Sequence, residues 1–589
     1  MASPKNILNE KEKTNEIKNA IFESKKTIII AGVFSFFINL LMLVPPLYML
    51  QLYDRVITSR SEETLIMLTS LVIVLFITLA LLEIVRSKLL IKVGNKLDSL
   101  LSQRIFDTLF ELANKAPGKA SSMPLSDLTQ IRQFMSGNGL FAFFDAPWIP
   151  IYIGVLFIFH TYFGVFAIFA AIVLLCFTIV NEYSTKEKLS EANSLNREAT
   201  MYVDANLRNA EVVNAMGMRN AIRKNWQEKY FGFLSAQDEA SNKAGVWSNT
   251  SKITRMMFQS MILGLGGYLA IQLELSAGMM IAGSILLGRA LAPLDLLINT
   301  WKGFSSTRTS YQRLNELLED FPKEKEYMEL PAPKGELFLE QVALMPPGSK
   351  IPSIAGITMK IDKGDVLGII GPSAAGKSSL ARAILGLWPL LQGKVRLDGA
   401  DIHQWDKERL GKYIGYLPQD IELFEGTIAQ NIARFNEVDS AKVVEAAMKA
   451  GVHELILKLP EGYDTKIGAG GVSLSGGQRQ RIGFARALYD NPVLVVLDEP
   501  NSNLDEQGEQ SLLDAINSLK ENETTVIIIT HRPAILQVTN KIALMKNGTL
   551  ETMGDTKEIL AKVFGQKPKI EQKPKNNLQQ KISISKPGS

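Results

Sequence analysis

A glycine-rich stretch, Gly371-Pro-Ser-Ala-Ala-Gly-Lys-Ser378, has the composition of a phosphate-binding loop. It follows an apolar run at 366–370, typical of a buried strand, and leads into a helical pattern at 379–385. The glycines let backbone N–H groups point at a polyphosphate, Lys377 reaches its β- and γ-phosphates, and the Ser378 hydroxyl binds Mg²⁺. The sequence therefore predicts a site for a nucleoside triphosphate at Gly371, Pro372, Ser373, Ala374, Ala375, Gly376, Lys377, Ser378 and Ser379.

Two adjacent carboxylates follow another buried apolar strand, which the pattern places at 493–497. At the end of such a strand, Asp498 can hold the same Mg²⁺ as Ser378. Glu499 is then placed to accept a proton from an attacking water, a contribution of roughly 10² to 10⁴ in rate. The pair predicts hydrolysis of the bound nucleotide.

A single histidine, His531, follows the apolar strand predicted at 526–529. Alone, a histidine in this position is more often structural than catalytic. Here it lies at a strand end where a contact to the γ-phosphate is needed, and we predict that contact.

A second glycine-rich segment, Leu474-Ser-Gly-Gly-Gln478, precedes a helical pattern at 479–488 and predicts another anion site. One nucleotide cannot use both glycine-rich loops of a single chain. The sequence therefore predicts a homodimer in which each nucleotide lies between the Lys377 loop of one chain and the second loop of the other. The residues assigned to the second loop are Ser475, Gly476, Gly477 and Gln478.

The composition of the 589-residue chain excludes several classes of site. With 64 basic and 60 acidic residues the net charge is +4, and no basic stripe predicts nucleic-acid binding. The only cysteine, Cys176, lies in an apolar run, so no intramolecular disulfide or thiolate metal cluster is expected. The 46% hydrophobic content is concentrated in long runs before residue 302.

Six of these apolar segments are predicted to span a membrane, because each is long enough to cross or nearly cross a hydrocarbon core about 30 Å thick. Two pairs of spans are separated by only a few residues and are predicted to be tight hairpins. The spans are Thr27–Tyr53, Thr64–Leu82, Leu140–Phe159, Val165–Val180, Met256–Leu273 and Ala277 to about Leu297.

The orientation follows from Lys and Arg, which concentrate in the segments 86–139 and 181–255. The loops on the other side contain only Arg55 and Arg60. We therefore predict that both termini are cytoplasmic, and that the two long segments extend the spans into the cytosol as helices.

Three charges lie within the apolar region, at Asp145, Arg289 and Asp295. A charge at that depth costs several kcal/mol unless it is paired or hydrated. Three interpretations are therefore open: the residues line a water-filled cavity, they form a structural ion pair, or they lie at the membrane interface.

The predicted fold is a membrane all-α domain of six transmembrane helices with long cytoplasmic extensions, followed by an α/β P-loop nucleotide-binding domain. A proline-bearing link at 330–333 marks the boundary between them. The predicted divisions are a cytoplasmic segment at 1–26, the membrane domain at 27–325, the nucleotide domain at 335–564 and a disordered tail at 565–589.

Together these motifs resemble an ATP-binding-cassette (ABC) domain over residues 336–564. The Lys377 loop resembles Walker A, the segment 493–499 resembles Walker B, the Ser475 loop resembles the ABC signature, and His531 the switch histidine. The resemblance adds a Q-loop at Gln419, implying catalytic and Mg²⁺ contacts, and a D-loop ending at Asp505, implying a nucleotide contact.

With spans preceding it on the same chain, the whole resembles an ABC exporter half-transporter. The segments 144–152, 208–218 and 388–401 resemble the type I protein-secretion branch, in particular its alkaline protease secretion ATP-binding proteins. This resemblance implies a bacterial inner-membrane homodimer that uses ATP to export unfolded polypeptides carrying an uncleaved C-terminal signal. It also implies a periplasmic membrane-fusion adaptor and an outer-membrane channel as partners.

Three alternatives stay open at this point. The ATPase residues would be the same in an exporter of lipid, peptide or small molecules. A soluble ABC ATPase acting on DNA or ribosomes would lack the predicted spans. A membrane receptor or channel that only senses ATP would not need Glu499.

Two features depart from the family pattern. Where relatives place an aromatic ring under adenine, this chain offers Met345, which we assign to the base. Some relatives begin with a cysteine-peptidase domain. With about 26 residues before the first span and its cysteine within the fourth, this chain is expected to lack one.

Overall fold

The computed structural model describes residues 15–116, 120–323, 329–468 and 471–564. The chain divides into two compact units with a cut between Lys323 and Glu324. This cut is close to the predicted end of the membrane domain at 325, although the exact domain limits stay predictions. The predicted disordered tail at 565–589 lies outside the described residues.

The first unit is helical throughout its described residues. Long apolar stretches that continue without interruption into charged helical ones give three of its helices more than 45 residues each. Its helices are α1 Glu16–Glu23, α2 Lys25–Leu41, α3 Val44–Gln51, α4 Ile57–Ser59, α5 Glu62–Lys115, α6 Met123–Ser136, α7 Asn138–Asp145, α8 Ile149–Phe159, α9 Thr161–Leu207, α10 Ala210–Ala215, α11 Arg219–Ile271 and α12 Ala277–Asp320.

Five helical stretches in the described part of the chain are long and apolar enough to cross a membrane. They contain five of the six predicted spans. The predicted span Met256–Leu273 is not among them; its residues form the end of α11 and the turn that follows. The count of six spans therefore stays a prediction. Both predicted hairpins are present, since only His160 separates α8 from α9 and a short turn separates α11 from α12.

The polar segment before the first span contains an ordered helix that its composition did not reveal. In α1, Ile17 is fully buried and Ala20 nearly so. They pack in a cluster with residues of α5, α6 and α12. The helix α1 is therefore part of the core of the first unit.

The two carboxylates Asp145 and Asp295 each lie in an ion pair, with a cation outside the three charges that the sequence analysis singled out. Asp145 accepts hydrogen bonds from Arg86 at 3.3 Å and from Asn39 at 2.7 Å. Asp295 pairs with Arg255 and accepts a hydrogen bond from Ser251 at 3.2 Å. Arg289, the cation among those three charges, is exposed, and whether the three residues line a cavity stays a prediction.

The second unit is the predicted α/β domain. A six-stranded sheet in the order β12-β11-β3-β10-β9-β6 forms its centre, and a four-stranded sheet in the order β2-β1-β4-β5 packs beside it. The strands are β1 Leu337–Leu344, β2 Ile354–Ile361, β3 Val366–Ile370, β4 Leu390–Leu397, β5 Ala400–Asp401, β6 Ile414–Leu417, β7 Gly426–Thr427, β8 Lys466–Ile467, β9 Leu494–Asp498, β10 Thr525–Ile529, β11 Lys541–Lys546 and β12 Thr549–Asp555.

The strands β3, β10, β9 and β6 pair in parallel, so their carboxyl ends meet at one edge of the sheet. Each of β3, β9 and β10 is buried along its whole length, which explains the continuous apolar runs in the sequence. The helices are α13 Lys377–Ile384, α14 Lys407–Leu410, α15 Ile428–Ile432, α16 Ser440–Lys449, α17 His453–Leu457, α18 Gly476–Leu488, α19 Glu506–Glu521, α20 Pro533–Val538 and α21 Thr556–Phe564.

The two glycine-rich loops begin helices that cover opposite faces of this sheet. Successive strand residues point to opposite faces: Val495 contacts the cluster that contains α18, and Val496 the cluster that contains α13. The Lys377 helix therefore packs with the four-stranded sheet, whereas the Ser475 helix packs among α15–α19 on the other side.

Candidate functional site

The phosphate-binding loop closes around its own lysine. The Lys377 ammonium donates hydrogen bonds to the carbonyl oxygens of Gly371 at 2.8 Å and Pro372 at 2.9 Å. Gly376 has φ +91°, and a Cβ there would lie 2.4 Å from the carbonyl oxygen of Ser353. Only glycine fits this position, because a side chain would clash with backbone that cannot move independently. The conformation of the loop therefore depends on glycine at this position.

Burial shapes the charges beside the loop. It lowers the pKa of Lys377, although Glu499 and Asp498 nearby oppose that shift. It raises the pKa of Asp498, which the hydrogen bond from Ser378 only partly offsets. Both charges are therefore incompletely compensated in the protein alone, and a ligand carrying phosphates and a cation would compensate them.

The carboxylate of Asp498 has the geometry expected of a metal ligand. It is 1% exposed, and its Oδ1 accepts a hydrogen bond from the Ser378 hydroxyl at 3.2 Å. Its buried Oδ2 has no hydrogen-bond partner among the described residues. Because a buried oxygen left unpaired is costly, this atom fits a site for Mg²⁺, a cation that prefers oxygen ligands.

The predicted base lies next to this site and is reached by two polar side chains. The Gln419 amide donates a hydrogen bond to the Glu499 Oε2 at 3.3 Å, and His531 Nε2 lies 3.9 Å from Oε1. Glu499 itself adopts φ +50°, a left-handed conformation that is uncommon for any residue but glycine. The structure therefore brings Gln419, Glu499 and His531 together at the carboxyl edge of the sheet.

The second loop is held by a reciprocal cap. The Ser475 side chain accepts a hydrogen bond from the Gln478 N–H at 3.3 Å, and the Gln478 side chain accepts one from the Ser475 N–H at 2.8 Å. Gly476 and Gly477 form the first helical residues of α18. Asp505 caps the next helix, α19, and accepts a hydrogen bond from Arg481 at 3.1 Å.

The segment of Met345 runs beside the phosphate-binding loop. Met345 directly follows β1 and is half-buried. The preceding Leu344 carbonyl accepts a hydrogen bond from Ser353 at 2.9 Å, and the Ser353 carbonyl in turn faces Gly376. The methionine segment therefore lies next to the phosphate-binding loop, and the assignment of Met345 to adenine stays a prediction.

Gln480 is a site residue that the motif search missed. It is 1% exposed, and its amide bonds to the backbone of the segment 499–503. Gly483, Phe484 and Ala487 on the same face of α18 are also buried. A polar residue on an otherwise apolar helix stripe was the signal that would have found it.

The comparisons with known proteins agree with this geometry. Residues 28–292 match the ABC transporter transmembrane region, and residues 354–502 match the ABC transporter family. The type I secretion system ATP-binding protein PrsD of Rhizobium meliloti (strain 1021) is 42% identical over 547 residues, covering 92% of this chain and 94% of that protein.

More distant relatives and one solved structure extend the match. The cyclolysin secretion/processing ATP-binding protein CyaB of Bordetella pertussis is 28% identical, over 90% of this chain and 75% of that protein. The alpha-hemolysin translocation ATP-binding protein HlyB of Escherichia coli O157:H7 is also 28% identical, over 90% and 76%. A bacterial Atm1-family ABC exporter with ATP bound shares the fold, with TM-score 0.78 and 22% identity over 91% of this chain and 96% of that one.

The fold is that of an ABC exporter, a transmembrane domain followed by a nucleotide-binding domain. The extent and level of the match to a secretion ATPase go further than the fold alone. The chain therefore belongs to the type I secretion ATP-binding proteins of the ABC transporter family and is an ATPase coupled to transport across a membrane.

Proposed function

We propose that this chain is the inner-membrane subunit of a type I secretion system and exports unfolded polypeptides at the expense of ATP. The observation that carries the proposal is the 42% identity to a type I secretion ATP-binding protein over 92% of the chain. The position of Lys377, Asp498 and Glu499 at one sheet edge supports it, since these residues form one chain's part of an ATP site.

The residues divide the chemistry of hydrolysis between them. The Lys377 loop binds the phosphates of ATP, and Ser378, Asp498 and Gln419 would hold Mg²⁺, which would supply positive charge to neutralise the phosphates. Glu499 accepts the proton of the attacking water. His531, within 3.9 Å of Glu499, is placed to contact the γ-phosphate.

The working unit is a homodimer with two composite sites. The support is the position of α13 and α18 on opposite faces of the central sheet, which separates the two anion-binding loops of one chain. A second chain can bring its Ser475 loop to the Lys377 loop of the first, and Asp505 then lies at the same junction.

The assignment of partners rests on the kinship with type I secretion proteins. We infer a periplasmic membrane-fusion adaptor, an outer-membrane channel, and a substrate recognised through a C-terminal signal. The distribution of Lys and Arg supports an orientation with both termini in the cytoplasm.

The test uses the full chain in detergent and measures its ATPase activity. The probes are C-terminal fragments of proteins secreted by cells that express the chain, each compared with the same fragment lacking its final segment. We expect an intact fragment to stimulate hydrolysis and phospholipid alone to leave it unchanged. Stimulation by lipid and by none of the fragments would instead support an exporter of lipids or small molecules.

A further inference from the structure

Gln480 fixes the backbone of the segment that carries the proposed base. Its Oε1 accepts a hydrogen bond from the Asn503 N–H at 2.9 Å. Its amide nitrogen donates to the Pro500 carbonyl and, at 3.4 Å, to the Glu499 carbonyl. One buried side chain therefore bonds three backbone groups within the five residues 499–503.

The conformation of this segment needs such support. Glu499 has φ +50°, a left-handed conformation that is strained for a residue with a side chain. Its N–H donates to the Ile529 carbonyl at 2.9 Å, and its carbonyl accepts from the Ser502 N–H at 3.2 Å. Strained residues persist where the surroundings over-determine them, and Gln480 completes the set of bonds that does so here.

The same helix carries the second anion-binding loop at its start. In its first turn, Gly477 lies against the segment, since a Cβ there would be 2.7 Å from the Asn503 carbonyl oxygen. One turn further along, Arg481 donates to Asp505 at 3.1 Å. A displacement of α18 when the Ser475 loop binds phosphate would therefore move the backbone of Glu499 as well.

We propose that Gln480 is a positioning residue that holds the backbone of Glu499 in its observed conformation and couples it to the Ser475 loop. This inference rests on the proposed role of Glu499 as base and on the composite dimer. In that dimer the Ser475 loop and Glu499 of one chain face different nucleotides. Binding of ATP at one site then positions the Glu499 side chain that acts at the other site.

The test is Gln480→Glu, which conserves shape but replaces the donating amide with a carboxylate facing two carbonyl oxygens. We expect kcat of the full chain to fall by roughly 10- to 100-fold at alkaline pH, with KM for ATP near the wild-type value. Burial raises the pKa of the introduced carboxyl, and once protonated it can donate to the Pro500 carbonyl. The activity relative to wild type should therefore recover as the pH is lowered.

Two further variants separate positioning from folding. Gln480→Met has similar bulk but no donor at any pH, so its loss of kcat should not recover at low pH. Gln404→Glu makes the same chemical change at an exposed position and should leave the ATPase unchanged. The melting temperature and Mg-ATP binding are measured for each variant.

Three outcomes would overturn the inference: wild-type kcat in Gln480→Glu at every pH, a loss that is independent of pH, or a loss fully explained by unfolding or by weaker ATP binding. The separate variant Glu499→Gln tests the underlying assignment. Full activity in that variant would show that Glu499 is not the base. If Glu499→Gln is inactive while Gln480→Glu has normal activity, Glu499 remains the base and only the positioning role of Gln480 is excluded.

Discussion

Two buried aspartates, one in each unit, have opposite surroundings. Asp127 in α6 is 5% exposed, and both of its oxygens are bonded, by Ser310 at 2.8 Å and by Arg313 at 3.1 Å. Asp498 is 1% exposed, yet its Oδ2 has no hydrogen-bond partner in the described part of the chain. A carboxylate whose bonds are complete stabilises the fold, whereas one left incomplete in the interior is suited to a ligand.

The largest expected effect concerns the carboxylate next to Asp498. Glu499→Gln keeps the size of the side chain but removes its ability to accept a proton. We expect hydrolysis to fall by roughly 10² or more while Mg-ATP binding is retained. The measurement is single-turnover hydrolysis beside nucleotide binding, and the ATP-bound dimer should accumulate. Near-normal turnover would show that Glu499, although it lies beside the incompletely bonded Asp498, does not act as the base.

The comparison itself is tested by the paired variants Asp498→Asn and Asp127→Asn. Asp498→Asn should weaken Mg²⁺-dependent ATPase by roughly tenfold or more, because it removes an anionic metal ligand, without lowering the stability of the ligand-free protein. Asp127→Asn should lower stability by about 1–3 kcal/mol, because it weakens the buried bond to Arg313, and should affect Mg²⁺ dependence little. Equal loss of stability in both variants would contradict the distinction.

The pH dependence of stability gives a second test of how Asp498 differs from Asp127. Because burial raises the pKa of Asp498, the folded protein binds a proton there more readily than the unfolded chain. The ionised carboxylate therefore destabilises the protein above its folded pKa, and this cost shrinks as the pH falls below that pKa and is gone at the lower pKa of the unfolded chain. The melting temperature of Asp498→Asn should accordingly exceed that of wild type at neutral pH, by a margin that shrinks in acid.

The ATP site could be predicted from the sequence because its residues are local to strand ends. Lys377, Asp498 and His531 each lie within a few residues of a buried apolar strand, and parallel pairing brings those ends together. Neither the φ of Glu499 nor the Gln480 contacts could be predicted this way. Both depend on how α18, the helix that precedes β9, folds back to pack against the backbone that follows the end of that strand.

The polar contacts of the membrane unit were much less predictable. Asp145 bonds to Arg86, 59 residues away, and to Asn39, 106 residues away. Apolar periodicity locates the helices but does not specify which faces meet. For that reason the sequence indicated that these charges need partners or water but did not identify Arg86 and Arg255, the cations that pair with the two aspartates.

The smallest expected change in stability concerns the cations that pair with the carboxylates of the membrane unit. Arg255→Ala should lower the stability of the membrane unit, because among the described residues it leaves Asp295 with the hydrogen bond from Ser251 alone to compensate its charge. Arg289→Ala should change stability by no more than about 0.5 kcal/mol, since Arg289 is exposed and neither Asp145 nor Asp295 pairs with it in the structure. The measurement is thermal unfolding of both variants in one detergent, with ATPase activity followed in parallel. If Arg289→Ala unfolds at as low a temperature as Arg255→Ala, then Arg289 forms a buried ion pair after all. Asp145 or Asp295 would in that case have a different partner from the one described. If export alone fails in Arg289→Ala, this exposed cation belongs to the path of the substrate.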